Sequence, residues 1–266
     1  MRRISAQDVQ AKMNFTKMHG LGNDFIIVDN LSGEYNSFDF VPFAKQYCDR
    51  NFGIGADGVL IISESKKADA NMRLINADGS EAEMCGNGIR CVARYIIDKG
   101  KASPIKVDTL AGIMVVEQSD DDYKVDMGIP KVVESKKIGK YEVTSVDMGN
   151  PHAVIFVDNF DFDWQVEGMD IENHESFPNR TNVEFVRVLS TEQLDVKVWE
   201  RGAGATMACG TGACASLAAA VANKKSSSQA LIKLRGGVLD IEIADNKHIY
   251  MTGPADYVFA GKIDLE

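Results

Sequence analysis

The chain has 266 residues, 45% of them hydrophobic and 26% charged, which suffices for two compact cores and gives no compositional sign of disorder. A net charge of -10, a pI near 5.0 and the lack of any Lys/Arg run longer than two residues argue against nucleic acid or an anionic membrane surface as a partner. No apolar run reaches the roughly 18 to 20 residues of a membrane span, and the five cysteines (Cys48, Cys85, Cys91, Cys209, Cys214) and four scattered histidines give neither a secreted disulfide framework nor a zinc set, so the chain reads as cytoplasmic and metal-free.

In chain order, residues 1–12 (MRRISAQDVQAK) are polar, precede a second start at Met13, and read as an extension outside the fold. FIIVD, VLII and MRLI follow as short β-branched runs punctuated by Gly, Asn and Asp. IRCVARYIIDKG then places Ile89, Val92, Ala93, Ile96 and Ile97 at helical spacing, with Gly100 as the stop. IKVDTL, IMVVEQ and YKVDMG return to strands. The second half repeats this order. GNPHAVIFVDN (Gly149 to Asn159) echoes GNDFIIVDN (Gly22 to Asn30), and NRTNVEFVRV follows where NFGIGADGVLI stood. KVWERGAGATMACGTGACASLAAA lies over RLINADGSEAEMCGNGIRCVARYI, at offsets of about 124 to 129 residues throughout, with Cys209 matching Cys85. A repeat of half the chain predicts two similar α/β lobes rather than a solenoid. ACASLAAAVANK is small and apolar almost all round, which predicts a helix buried within its own sheet. YVFAGKIDL closes the chain as a strand that can return to the first lobe.

Each of the two matched cysteines stands before a Gly-x-Gly at a helix start. Free N–H groups and the helix dipole there predict a depressed thiol pKa and a site for a carboxylate. If the lobes face one another, two thiols and two anion-binding helix ends share one cleft. A chiral centre between them can lose a proton to one sulfur and regain one from the other on the opposite face, which inverts it, with no external cofactor required. Taken singly, either cysteine reads as a small buried hydrophobe, and the pair also reads as a disulfide in an oxidised, inactive state. Cys48, Cys91 and Cys214 lack the glycine context and read as packing residues. Asn23, Asn76, Asn150 and Asn182 sit in the duplicated blocks at or beside loops, as turn residues or ligand contacts. Glu200 and Arg201 read as a solvated strand-end pair or as partners for an ammonium and a carboxylate, and His152 is a turn residue or a neighbour that tunes a thiol. GLGNDF and GIGADG are not followed by a helix and no Walker lysine is present, which disfavours nucleotide binding.

At these residues the sequence resembles the diaminopimelate epimerase family. FTKMHGLGNDFIIVD, INADGSEAEMCGNGIRCVARY, MGNPHAVIFV and VWERGAGATMACGTGA look like that family's signatures, in order, from Met13 onward. The resemblance implies epimerisation of LL- to meso-2,6-diaminopimelate without pyridoxal phosphate or metal, in lysine and peptidoglycan synthesis. The implied fold is two pseudo-symmetric α/β lobes (13–126 plus 252–266, and 127–251), each a β-barrel-like sheet wrapped around a central helix, in a chain that forms homodimers. By position, it implies Cys85 and Cys209 as the acid/base pair and backbone N–H groups of Gly86, Asn87, Gly210 and Thr211 for the carboxylate at the reacting centre. Asn23, Asn76, Asn150, Asn182 and Arg201 would hold the substrate, chiefly its distal end. Glu200 would lie near the reacting amino group and, with His152, influence the cysteines. Two positions depart from the family pattern: Gly58, where many members have glutamine, and Ala205, where an acidic residue is frequent. The proline racemase and hydroxyproline epimerase group is the nearest rival and typically has histidine where Asn87 stands. A binding protein without turnover is the alternative from another class.

Overall fold

All the β-branched runs form strands, and they join edge to edge into one 18-stranded sheet. The computed structural model describes residues 12–265, so the N-terminal extension lies outside the described residues except at its last position. There the expectation is corrected: Lys12 already belongs to the first strand, opposite Asp264.

The first half runs β1 (Lys12–Gly20), β2 (Asn23–Asn30), α1 (Phe40–Tyr47), β3 (Gly58–Ser63), β4 (Ala70–Asn76), β5 (Glu81–Ala82), α2 (Gly86–Asp98), β6 (Ile105–Thr109), β7 (Gly112–Ser119) and β8 (Asp122–Asp126). The second runs β9 (Lys131–Ile138), β10 (Tyr141–Asp147), β11 (Pro151–Phe156), α3 (Trp164–Glu172), β12 (Asn182–Ser190), β13 (Gln193–Glu200), β14 (Gly204–Ala205), α4 (Gly210–Ala222), β15 (Gln229–Leu234), β16 (Gly237–Ile243) and β17 (Ile249–Gly253), before β18 (Asp256–Asp264).

The duplication seen in the sequence is repeated in the pairing. β2 pairs β3 in parallel and β4 pairs β6 in parallel, with antiparallel neighbours between and after them. β11 with β12 and β13 with β15 repeat this order and sense. β18 takes the place beside β1 that β9 takes beside β10, and β8 joins β17 to link the halves. The C-terminal run therefore returns to the first half, as its sequence led us to expect.

Continuous apolar strands are needed because both faces of each half are covered. Along β2, Phe25 and Ile27 pack inward with α2, while Ile26 and Val28 pack outward with Phe40 and Phe43 of α1. In the second half α3 covers the outer face, with Ile171 against Ile155, Val183 and Phe185. Helix α4 touches β9 to β13 and β15 to β17, so it is enclosed by strands, and only alanine-sized residues fit along most of its length. Helix α2 ends at Asp98, with Gly100 at φ +99° as the anticipated stop. No helix among the described residues is long and apolar enough to cross a membrane.

Candidate active site

Cys85 and Cys209 are the N-cap residues of α2 and α4, both in extended backbone (φ -141° and -122°). That conformation aims each side chain back over the first turn, where the unpaired N–H groups lie. Cys209 Sγ accepts from the Gly212 N–H at 3.4 Å, and the Thr211 hydroxyl is 3.5 Å away. The N–H groups of Asn87 and Gly88 face the Cys85 sulfur, which also lies 3.4 Å from Asn23 Oδ1. The two helix starts meet closely. A methyl placed on Gly210 would stand 3.6 Å from the Gly86 Cα and 2.9 Å from Met251 Sδ, so glycine at both positions allows the backbones to approach.

Both cysteines line one cavity of about 560 Å³, together with Asn23, Asn150, Glu200 and Arg201. A second recess of about 900 Å³ shares Asn23, Cys85, Glu200 and Arg201, and adds Asn76 and Ser80. Two compartments that share this part of their walls suit a long ligand with a polar group at each end. Gly86, Asn87, Gly210 and Thr211 all border the smaller one.

The thiols depart from expectation. Helix starts were expected to depress them, yet burial pushes both up, because a thiolate loses more by leaving water than a few N–H groups return. Cys209 is raised further by the carboxylates of Glu200 and Glu184. At Cys85 the Gly88 and Asn87 N–H groups work against burial, Glu200 adds to it, and Arg90 opposes it. The pair is therefore asymmetric, with the negative charge gathered on the Cys209 side. Glu200 is itself pushed up by burial, while the Thr206 hydroxyl and Cys209 hydrogen-bond to it and favour its ionised form. All five cysteines are free thiols, so the disulfide alternative does not describe this structure. Cys48, Cys91 and Cys214 are buried packing residues whose thiols are pushed up to about 12 by desolvation.

Other residues singled out in the sequence fall into two groups. Asn23, Asn76, Asn150, Glu200 and Arg201 reach cavity walls. Asn182 and His152 stand behind them, both fully enclosed. Asn182 donates to the Pro151 carbonyl and accepts from the Arg201 N–H, and so holds the Arg201 turn. His152 bonds Glu184 Oε1 through Nδ1 at 2.7 Å and meets Asn150 Oδ1 through Nε2 at 3.0 Å. Asn150 continues to the Thr211 hydroxyl at 3.4 Å, completing a polar chain from Glu184 to the Cys209 turn.

Sequence reading missed Glu184, Thr206 and Asp57, which accepts from Asn23 Nδ2 at 2.6 Å. A lone charge inside the apolar run NVEFV was the available signal for Glu184. Of the two departures, Gly58 opens β3, where a Cβ would lie 2.8 Å from the Ile75 carbonyl oxygen, so this backbone leaves no room for a side chain. Ala205 sits opposite Trp199 on the wall of the larger recess.

Comparison with known proteins settles the family. A family model described as diaminopimelate epimerase matches residues 15–133 and 144–258. The chain belongs to the diaminopimelate epimerase family. It is 48% identical to a diaminopimelate epimerase of Pelotomaculum thermopropionicum, over 94% of this chain and 98% of that one. Against the diaminopimelate epimerase of Acetivibrio thermocellus the identity is 49%, over 95% and 99%. Among solved structures, a hydroxyproline epimerase from Agrobacterium vitis superposes with a TM-score of 0.71 at 14% identity, covering 97% of this chain and 94% of that one. A PhzF-family phenazine biosynthesis protein of Bacillus anthracis gives 0.72 at 14% identity, over 95% and 99%. At such identities the likeness is one of fold.

Proposed function

We propose that the protein interconverts LL- and meso-2,6-diaminopimelate by a two-base proton transfer between Cys85 and Cys209. The observation that carries the reading is that two helix N-termini, each capped by a cysteine, open onto one cavity. One cysteine acts as thiolate and takes the α-proton: an S–H bond forms as the C–H bond breaks, and the electron pair delocalises into the adjacent carboxylate. The N–H groups of Gly86, Asn87, Gly210 and Thr211 stabilise that developing charge, because they are fixed in place before the reaction begins. The second cysteine, a thiol, then gives its proton to the opposite face of the carbon and is left as thiolate. The pair titrates as one coupled unit. Asn76 and Arg201 hold the distal ammonium and carboxylate in the larger recess, and Glu200 faces the reacting amino group.

Incubation of the protein with LL-diaminopimelate in heavy water tests this directly. Deuterium at the inverted α-carbon of a meso product is expected. Tight binding without exchange would leave a binding protein and reject the reading.

The activity belongs to lysine and peptidoglycan synthesis in the cytoplasm, consistent with five free thiols. The repeated strand pairing supports two lobes divided after Asp126, with the return to the first lobe falling between Gly253 and Asp256 rather than within β17. A homodimer is supported by Tyr257, Val258 and Phe259, a consecutive run on β18 that stays 41%, 53% and 47% exposed. Light scattering is expected to give twice the chain mass, and a monomer for Phe259→Asp; a monomeric native chain rejects the dimer.

A further inference from the structure

Arg90 is the largest fully buried side chain among the described residues, and no carboxylate pairs with it there. Its guanidinium donates only to neutral acceptors: the Pro254 carbonyl at 3.0 Å, the Gly86 carbonyl at 3.2 Å, Asn87 Oδ1 at 2.9 Å and Met251 Sδ at 3.5 Å. Burying a cation without a counter-ion is costly. Arg90 lies one helical turn from the Cys85 cap. It also fixes the Asn87 amide. With Oδ1 on Arg90, the Asn87 Nδ2 faces Asn23 Oδ1 and the Ala208 carbonyl, each at 3.1 Å, and Ala208 immediately precedes Cys209.

The surroundings leave few other candidates for that negative charge. Asp122 and Tyr123 stand on β8, Glu200 on β13, Cys91 on α2 itself and Cys214 on α4. Asp122 is half-exposed and outside ion-pair reach, and Cys91 and Cys214 are held neutral by burial. From β1, β2, β3, β6 and β7 apolar side chains pack into this core, among them Met18, Ile27, Leu60, Val107 and Val116, while His19 of β1, paired across to Asp256 of β18, stands next to Gly20 at the guanidinium end.

Resting on the two-base reading above, we propose that Arg90 is a positioning residue of the pair: its uncompensated buried charge, tied to the Cys209 segment through Asn87, adds to the Gly88 and Asn87 N–H groups in favouring a thiolate at Cys85. The guanidinium touches neither cysteine sulfur nor the substrate and acts through field and through the Asn87 amide.

The test compares Arg90→Gln, which removes the charge and keeps an amide donor, with Arg90→Lys, which keeps the charge and loses the fork. Iodoacetamide alkylation of Cys85 is followed by peptide mass spectrometry against pH, since only the thiolate reacts, alongside kcat, KM and thermal melting. In Arg90→Gln the alkylation midpoint is expected to rise by about one pH unit or more, with kcat down at least roughly tenfold and KM within about twofold. Arg90→Lys is expected to keep the native midpoint and most of kcat. A folded glutamine variant with a native midpoint overturns the proposal, as does a lysine variant that shifts like glutamine. If the glutamine chain does not fold, the lysine chain decides: a native midpoint supports the role and a raised one overturns it. Absence of exchange from native protein in heavy water would defeat the epimerase reading instead, and the alkylation arm, which needs no substrate, would still judge Arg90.

Discussion

Asn23 Oδ1 serves two neighbours, the Cys85 thiol and the Asn87 amide, while its Nδ2 donates to Asp57. A carbonyl oxygen beside a sulfur favours S–H, so Cys85 is poised between this acceptor and the N–H groups that favour the thiolate. At Cys209 two carboxylates oppose the Gly212 N–H and the Thr211 hydroxyl, so the balance lies further toward S–H. Cys85 is therefore expected to alkylate faster than Cys209 between about pH 7 and 9, and equal rates would contradict the asymmetry. Replacing either cysteine by alanine is expected to abolish epimerisation while the melting temperature stays near native; appreciable turnover in either variant rejects the two-base scheme. Arg201→Ala is expected to lower kcat/KM by about tenfold or more, on the order of 1.4 kcal/mol, and an unchanged value would remove Arg201 from the distal clamp. The cysteines were legible because the chain writes their context twice. Glu184 was hidden because β12 is buried on both faces, which erases the polar alternation that would mark an inward charge. That Asn182 holds the Arg201 turn by bonding backbone at both ends of its amide was not legible, since a sequence shows an amide but not its partners.

Strands and the two central helices were readable from period and composition, whereas α1 and α3 were not. Each is only eight or nine residues long, and α1 contains Pro42 near its start, so neither shows a sustained helical period. Their one local signal is an aspartate cap, Asp39 on Val41 and Asp163 on Val166. What sets them is tertiary: the outer sheet faces need cover. The turn between β15 and β16 matters in a similar, non-local way. Gly236 donates to the Met207 carbonyl just ahead of Cys209, and a methyl on Gly236 would overlap the Leu21 carbonyl oxygen in the turn that leads to Asn23. Gly236→Ala is thus expected to destabilise the fold by roughly 1 to 3 kcal/mol and to depress kcat with it. A native melting curve and native rate would show that the two turns are not in firm contact.

Across the molecule, the inner core is one cluster that includes residues of both α2 and α4, so the halves are expected to melt together. Cys48, Cys91 and Cys214, held up to about 12, keep protons that the unfolded chain gives up. Their folded pKa values lie above the unfolded value of about 8.5, so this contribution is intact below about pH 8.5 and is lost as pH climbs toward 12. The melting temperature is expected to fall progressively through that interval, and less steeply in a chain with all three changed to alanine; parallel curves would refute the linkage. The repeated strand order was legible from the duplication, but its closure was only half so, because the register of β18 on β1 depends on partners some 240 residues apart, about the whole chain. That pairing has a consequence during synthesis. A nascent chain that has left the ribosome as far as β8 has made Cys85 and most of its lobe, yet β1 still presents an open edge. The half begun first is thus closed last: its edge at β1 stays open until β18 emerges, by which time every strand of the second half has been made.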